Sequence, residues 1–141
     1  MGDSAMIRIA AGLLALAFMA APASAYPSWW RGTLPDCAAP SVLAKVRAKV
    51  AYGAPRVLGY HLAIEGIDGI YQDDVDVYGA SLIDRRYCSA TAWLSNGKQS
   101  EVVYLIEATQ GFASIGWNVE SCLPGYDRWR VYDAWCRSIR P

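Results

Sequence analysis

The sequence predicts an α+β domain in which one N-terminal helix packs on a curved antiparallel sheet of four to five strands, with two disulfides. Three features of the chain predict this fold. Apolar residues recur at helical spacing over residues 41–52, and three strand patterns separated by turn signals follow over residues 86–122. In addition, four cysteines accompany an export signal, which favours disulfides over free thiols.

The helix is predicted to begin at Pro40 and Ser41, because proline favours the first helical position. Its apolar stripe consists of Leu43, Val46 and Val50. Gly53 and Pro55 are typical of the residues just past a helix C-terminus, so we expect the helix to stop there.

A strand pattern follows the helix, with apolar and polar residues alternating over residues 60–65. The next stretch, residues 66–79, is acidic and rich in turn formers. It is predicted to be largely a loop, with a short strand over residues 75–78.

The strongest pattern is a three-strand meander with strands over residues 86–95, 101–108 and 112–122. Asn96-Gly97 predicts a two-residue hairpin loop, and residues 109–111 fit a three-residue loop that ends on glycine. The meander therefore follows directly from turn chemistry.

These turns predict a register that pairs Ser95 with Lys98 and Ala108 with Phe112. One predicted face is apolar and is assigned to the helix: Cys88, Ala90, Ala92, Leu94, Val103, Leu105, Ile115, Trp117 and Val119. The opposite face is mixed and rich in aromatic residues: Tyr87, Ser89, Thr91, Trp93, Val102, Tyr104, Ile106, Asn118 and Glu120.

Residues 1–25 are predicted to be a secretory signal peptide, since an apolar run over residues 9–20 ends at the small-residue pattern Ala23-Ser24-Ala25. Residues 26–141 then form a single disulfide-stabilised domain, periplasmic or secreted, with no integral membrane segment. The chain has 13 basic and 13 acidic residues, which argues against nucleic acid as a partner.

The four cysteines are all predicted to form disulfides, and they leave two pairings open. In the predicted register, Cys88 and Cys122 lie roughly 20 Å apart along the strands, too far for a bond. The favoured pairing is Cys37–Cys88 with Cys122–Cys136, because it staples the two ends of the domain to the sheet. Cys37–Cys122 with Cys88–Cys136 is the alternative.

Three segments carry a resemblance to a known fold: residues 86–90, the Asn96-Gly97 turn, and the strand at residues 102–107. With these, residues 41–122 resemble small exported bacterial proteins with a cystatin-like or nuclear-transport-factor-like α+β roll. The resemblance implies a fold and assigns no active-site residues.

Candidate catalytic residues are few. His61 is the only histidine, and on a strand it is expected to be a partly buried structural residue. The nuclear-transport-factor-like resemblance implies acid–base side chains in a pocket, where Asp73, Asp74 or Glu107 could serve. Nothing in the sequence selects one of them, so no catalytic residue is assigned.

The acidic stretch also invites a calcium interpretation. Asp74 and Asp76 begin like an EF-hand loop, but Tyr78 stands at a ligand position and Arg85 replaces the closing glutamate. A solvated acidic loop is therefore expected, with no metal and no cofactor.

The C-terminal stretch, residues 126–139, fits either a helix or a strand. The tail carries Arg128, Arg130, Arg137 and Arg140, interleaved with Trp129, Tyr132 and Trp135. Such a set can bind a carbohydrate, a peptide or an anionic polymer, or it can pack on the sheet with its arginines in water.

The functional hypothesis is a small exported binding or envelope-associated protein without catalytic activity, with an unknown protein, peptide or glycan as its partner. The candidate binding residues are Tyr87, Trp93, Tyr104, Trp129 and Arg130. The alternative is a nuclear-transport-factor-like enzyme or small-molecule carrier with a pocket between helix and sheet.

Overall fold

A computed structural model describes residues 34–77, 83–110 and 115–141. The predicted signal peptide, residues 1–25, lies outside the described residues. The elements are α1 (Pro40–Val57), β1 (Ile64–Asp76), β2 (Arg85–Leu94), β3 (Gln99–Ala108), β4 (Trp117–Cys122) and a short 3₁₀ segment (Ala134–Ile139). The strands form one antiparallel sheet in the order β1-β2-β3-β4, with α1 against it. The prediction of one helix on an antiparallel sheet is confirmed.

Helix α1 buries Val42, Val46 and Ala54. The expected stop at Gly53 was wrong, because the helix continues through Gly53 and Pro55 to Val57. A proline this close to the C-terminus removes only one backbone bond, and the last turn still closes, with Leu58 N–H donating to the Ala54 carbonyl at 2.8 Å. Burial of Ala54 favours this extra turn.

Strand β1 contains the acidic stretch that was predicted to be a loop. It pairs with β2 from Ile64 to Asp76, with register shifts at three places along the ladder. β1 is an edge strand, so one side of its backbone faces away from the sheet. Edge strands tolerate charged side chains and bulges, which is why an acidic, glycine-containing stretch can still form a strand.

The hairpin between β2 and β3 has a register one residue away from the predicted one. Trp93 lies opposite Gln99, and Leu94 N–H donates to the Lys98 carbonyl. The loop therefore has three residues rather than two, with Gly97 in the left-handed conformation (φ +78°). Because side chains alternate along a strand, this shift exchanges the two faces of β3.

The connection between β3 and β4 is longer than predicted. Ala108 lies opposite Trp117, so β4 begins at Trp117 rather than at residue 112. Thr109 and Gly116 close this loop in left-handed conformations, with Thr109 N–H donating to the Gly116 carbonyl. Ile115 is consequently exposed instead of facing the helix.

The sheet separates two apolar clusters. The cluster on the helix side includes Val42, Val46, Cys88, Ala90, Ala92, Leu94, Val102, Tyr104, Ile106 and Val119. The cluster on the opposite side consists of Val103, Leu105, Cys122, Cys136 and Ile139, with Tyr87 and Tyr132 packed against it. The C-terminal tail, residues 123–141, begins on the helix side with Leu123 and covers part of the second face with Tyr132, Cys136 and Ile139.

Both disulfides of the favoured pairing are confirmed. Cys37 bonds to Cys88 and Cys122 to Cys136, with Cα–Cα distances of 5.9 and 5.8 Å. The expected separation of Cys88 from Cys122 along the strands was wrong, since they lie level, opposite the neighbouring residues Tyr104 and Val103 of β3. They do not pair because they belong to opposite faces and lie two strand spacings apart, roughly 10 Å.

The tail forms neither of the two elements considered for residues 126–139. It is a series of turns that ends in the 3₁₀ segment. The Asp127 carboxylate accepts hydrogen bonds from the backbone N–H groups of Val131 and Tyr132, and Asp133 accepts one from Ala134. These local side-chain bonds replace the regular backbone pattern of a helix or strand.

Candidate functional site

An open cleft of about 670 Å³ lies between the C-terminal half of α1, the end of β4 and the tail. Most of its lining is apolar: Ala48, Val50, Tyr52, Gly53, Ala54, Val57, Leu58, Leu62, Cys122, Leu123, Tyr126 and Val131. The polar lining residues are Lys49, Glu120, Ser121, Asp127 and Tyr132. This size and lining are those of a small-molecule site.

The polar groups gather at one end of the cleft. Lys49 and Leu58 are about 14 Å apart along the helix axis, at ~1.5 Å per residue. Glu120 is beside Lys49, whereas Leu62 and Tyr126 lie towards the hairpin at the other end, where the Asn96 amide reaches the Tyr126 hydroxyl. The cleft is therefore polar at the Lys49 end and apolar at the Leu58 end.

The polar end is a hydrogen-bonded cluster centred on the Glu120 carboxylate. Lys49 Nζ lies 2.7 Å from Glu120 Oε1, which also accepts from Asn118 Nδ2 at 3.3 Å. The Tyr132 hydroxyl donates to Glu120 Oε2. Burial and this hydrogen bond raise the pKa of Tyr132 well above its ordinary value, so the phenol stays protonated. The cluster thus joins α1, β4 and the tail.

Two features of the cleft are unusual for a surface that water alone covers. Tyr52 is 67 % exposed and Val131 is 62 % exposed, although both line the same apolar cleft. The Ser121 hydroxyl oxygen is buried and has no hydrogen-bond partner within the part of the chain that the structure describes. The exposed apolar side chains leave surface for a bound molecule to cover, whereas the Ser121 oxygen is enclosed by protein.

The five residues predicted to bind a partner do not form one surface. Tyr104 was placed on the outer face, and this is wrong, because the shifted hairpin register turns it towards the helix. It is fully buried and its hydroxyl donates to the Cys37 carbonyl at 3.0 Å. Tyr87 packs against the apolar cluster on the side of the sheet opposite the helix. Trp93 is exposed, and its Nε1 donates to Asp68 Oδ2 at 2.6 Å. Trp129 is exposed in the tail.

Arg130, the fifth predicted residue, is also exposed in the tail, with a left-handed backbone. It lines a hollow of about 200 Å³ together with Trp135, which is 75 % exposed. Trp135 belongs to the aromatic set noted in the sequence, and the hollow brings it next to Arg130.

The cleft cluster was not predicted from the sequence. Glu120 was assigned to the mixed sheet face, and Lys49 was not among the candidate residues. One signal was present, because Lys45 and Lys49 are one helical turn apart and Trp117 and Glu120 are three residues apart in β4. In the structure Lys45 Nζ lies 4.5 Å from the centre of the Trp117 ring, and Lys49 meets Glu120.

The other chemical candidates do not converge. His61 is exposed before β1 begins, rather than partly buried on a strand as expected. Asp73 accepts a hydrogen bond from Ser89, and Glu107 pairs with Arg85 at 2.9 Å. Residues 34–77, 83–110 and 115–141 contain no cluster of three histidine, cysteine or acidic side chains suited to a metal ion.

Within those same ranges, no helix has the length and apolar character needed to cross a membrane. The two disulfides are compatible with an oxidising environment. No protein-family model, no curated protein and no solved structure matches the chain.

Proposed function

We propose that this chain is an exported binding protein that holds a small, mainly apolar molecule in the cleft between α1, β4 and the tail. The observation that carries this proposal is the open apolar cleft of about 670 Å³, with Tyr52 and Val131 left exposed in its lining. Ligand sites in proteins are commonly concave, apolar and of roughly 300–1,000 Å³. A bound molecule would cover this apolar lining, and the hydrophobic effect would supply the affinity.

Binding fits the polar groups of the cleft better than catalysis does. Glu120 already accepts hydrogen bonds from Lys49, Asn118 and Tyr132, so its carboxylate is held in place rather than poised to take a proton. His61 does not line the cleft. The proposed role is therefore that of a carrier or sensor of a small molecule.

The proposed location is the periplasm or the medium, reached through the signal peptide at residues 1–25. The pair of disulfides supports this location, because such bonds persist in oxidising compartments. One helix followed by a sequential antiparallel sheet supports the proposal of a cystatin-like or nuclear-transport-factor-like roll.

A fluorescence titration tests the cleft. Phenylnaphthylamine, a neutral apolar dye that brightens in apolar surroundings, should bind the folded protein. Gly53→Phe should block it, because a Cβ at Gly53 meets nothing within 4 Å and the new ring would project into the cleft that Gly53 lines. The matched control is Ala51→Phe, two residues earlier on the exposed side of the same helix.

The proposal predicts dye binding in the native protein and in Ala51→Phe, and loss of binding in Gly53→Phe with an unchanged circular dichroism spectrum. Equal dye binding in both variants would place the site elsewhere. No dye binding by the folded native protein would refute an apolar small-molecule site in the cleft.

A second candidate function rests on the tail hollow. Trp135 offers an exposed ring, and the Arg130 guanidinium has no hydrogen bond or ion pair within the described residues. An aromatic ring suits stacking on a sugar, and Arg130 lies with the carboxylates of Asp127 and Asp133 in the same hollow, a set that can hydrogen-bond sugar hydroxyl groups. Retention on an immobilised neutral glycan, lost in Trp135→Ala and kept in Gly53→Phe, would support this second function.

A further inference from the structure

We infer that the molecule held in the cleft is a single-chain amphiphile with a neutral, hydrogen-bond-accepting head, lying along α1 with its head at Lys49 and its chain end at Leu62. This inference rests on the proposed function and specifies its ligand.

The chain direction follows from the lining of α1. Val50, Ala54, Val57 and Leu58 line the cleft and recur at spacings of four, three and one residues, which places them on one stripe along the helix. The stripe ends near Leu62, which is buried and itself lines the cleft. A linear apolar chain can follow such a stripe along its length, whereas a compact ring system would cover only part of it.

The position of the head follows from the N–H donors of Lys49 that have no acceptor within the polar cluster. A lysine ammonium has three N–H bonds, and among the described residues Glu120 is the single acceptor that Lys49 Nζ reaches. Glu120 and Tyr132 are already engaged with each other. The polar end therefore offers donors to a ligand, and a head that accepts hydrogen bonds fits it.

The charge of the head follows from the pairing of the charged groups at this end. Lys49 and Glu120 already neutralise each other at 2.7 Å, and Asp127 accepts from the backbone N–H groups of Val131 and Tyr132. A charged head of either sign would lose hydration there without gaining an unpaired counter-charge. An alcohol, ester or amide head avoids that cost and still accepts from Lys49.

The chain's own residues 26–33 are a competing occupant, because they contain Trp29 and Trp30 and lie outside the described residues. The polar cluster favours the amphiphile, since the lysine donors at one end and the apolar stripe beyond match a head and a tail. A variant with both tryptophans replaced distinguishes the two occupants.

The experiment displaces phenylnaphthylamine from residues 26–141 with three ligands of equal chain length: dodecanol, laurate and dodecylamine. Dodecanol should displace the dye at a concentration about tenfold lower than either charged ligand, because only a charged head loses hydration without gaining an unpaired counter-charge. Lys49→Met should weaken dodecanol about tenfold, because it removes one charge-assisted hydrogen bond. The matched control, Lys45→Met, removes a lysine one turn earlier that does not line the cleft and should leave displacement unchanged.

Glu120→Gln gives a readout that a merely structural role would not produce. Removing this negative charge should tighten laurate relative to dodecanol, because it leaves Lys49 as an unpaired counter-charge for an anionic head. Melting temperatures of all variants, measured alongside, show whether each one is folded.

Equal displacement by the three ligands, or an unchanged dodecanol affinity in Lys49→Met, would overturn the inference. If the dye still binds and Gly53→Phe still blocks it, the proposed function survives that result. Failure of the dye to bind at all would refute the proposed function instead. A common rise in affinity for all three ligands when Trp29 and Trp30 are replaced by serine would identify the chain's own segment as the occupant and overturn the inference.

Discussion

Replacing Tyr104 with phenylalanine removes one buried hydrogen bond and keeps the ring that fills the core. The Tyr104 hydroxyl donates to the Cys37 carbonyl at 3.0 Å, and the side chain is fully buried. Its loss leaves that carbonyl without this donor, so we expect the free energy of unfolding to fall by about 1–3 kcal/mol. In a domain of this size each kcal/mol corresponds to roughly 4 °C in melting temperature.

The same substitution should change the alkaline stability. Burial, with a smaller contribution from the Asp73 carboxylate, raises the pKa of Tyr104 from 10.0 to about 12. The folded protein therefore keeps a proton that the unfolded chain releases, so this stabilisation is complete below about pH 10 and is lost as the pH rises to about 12. Phenylalanine has no such proton, so the difference between the two proteins should shrink across this window. Tyr132 is present in both proteins, and its own titration cancels in the comparison.

The assay is urea unfolding followed by circular dichroism, near neutral pH and at about pH 11, between the two pKa values. Tyr71→Phe on the edge strand β1 is the matched control, because Tyr71 is exposed. This substitution should leave the free energy of unfolding unchanged at both pH values. If Tyr104→Phe behaved like Tyr71→Phe, Tyr104 would face solvent, as in the register with a two-residue hairpin loop. That result would refute the assignment of the sheet faces.

Three further outcomes are expected. Replacing Cys122 and Cys136 with alanine should lower the free energy of unfolding by about 3 kcal/mol, given a sequence separation of 14. The tail of this variant should also be cleaved more readily by proteases. Equal protease resistance in the two proteins would contradict the role of this disulfide in fastening the tail. Gly53→Ala should stabilise α1 by about 0.5–1 kcal/mol, because a Cβ at this helical position meets nothing within 4 Å. Gly97→Ala should destabilise the hairpin by about 1 kcal/mol, because the Gly97 backbone has a φ of +78°. Urea unfolding measures the sign of both changes. The exported protein should begin at Tyr26, and an intact mass that retains residues 1–25 would contradict the export proposal.

The elements of the core could be predicted from the sequence because their signals are local. The start of α1 follows from Pro40, and β2 and β3 lie within two residues of their predicted bounds. The favoured cysteine pairing is confirmed, although the separation along the strands that excluded Cys88–Cys122 was wrong and a second pairing had stayed open. Periodicity and turn residues are sufficient for such assignments.

The sheet faces could not be predicted, because they depend on a single residue of loop length. Asn96-Gly97 fits both a two-residue loop and a three-residue loop with Gly97 in the left-handed position, and the structure has the second. Strand β1 was missed for a related reason. Its acids and glycines disfavour a strand locally, and only the partner β2 and the open edge make that strand stable.

The cleft escaped prediction because it is assembled from distant parts of the chain. Lys49 and Glu120 are 71 residues apart in sequence, and the tail that brings Tyr132 to them has no regular periodicity. The spacing of Lys45 and Lys49 is visible in the sequence, but their partners on β4 could not be identified from it, because the pairing depends on how α1 lies along β4.

The separation of the two apolar clusters by the sheet has a consequence for how such a protein can diverge. The helix-side cluster and its disulfide stabilise the scaffold, whereas the tail forms one wall of the cleft and is fastened by a disulfide of its own. Substitutions at Val131 and Tyr132, which line the cleft and do not belong to the helix-side cluster, can therefore reshape the cleft while the packing between α1 and the sheet is preserved. Descendants of one ancestral chain would accumulate differences fastest in this wall, and a new ligand preference could arise there without a new fold.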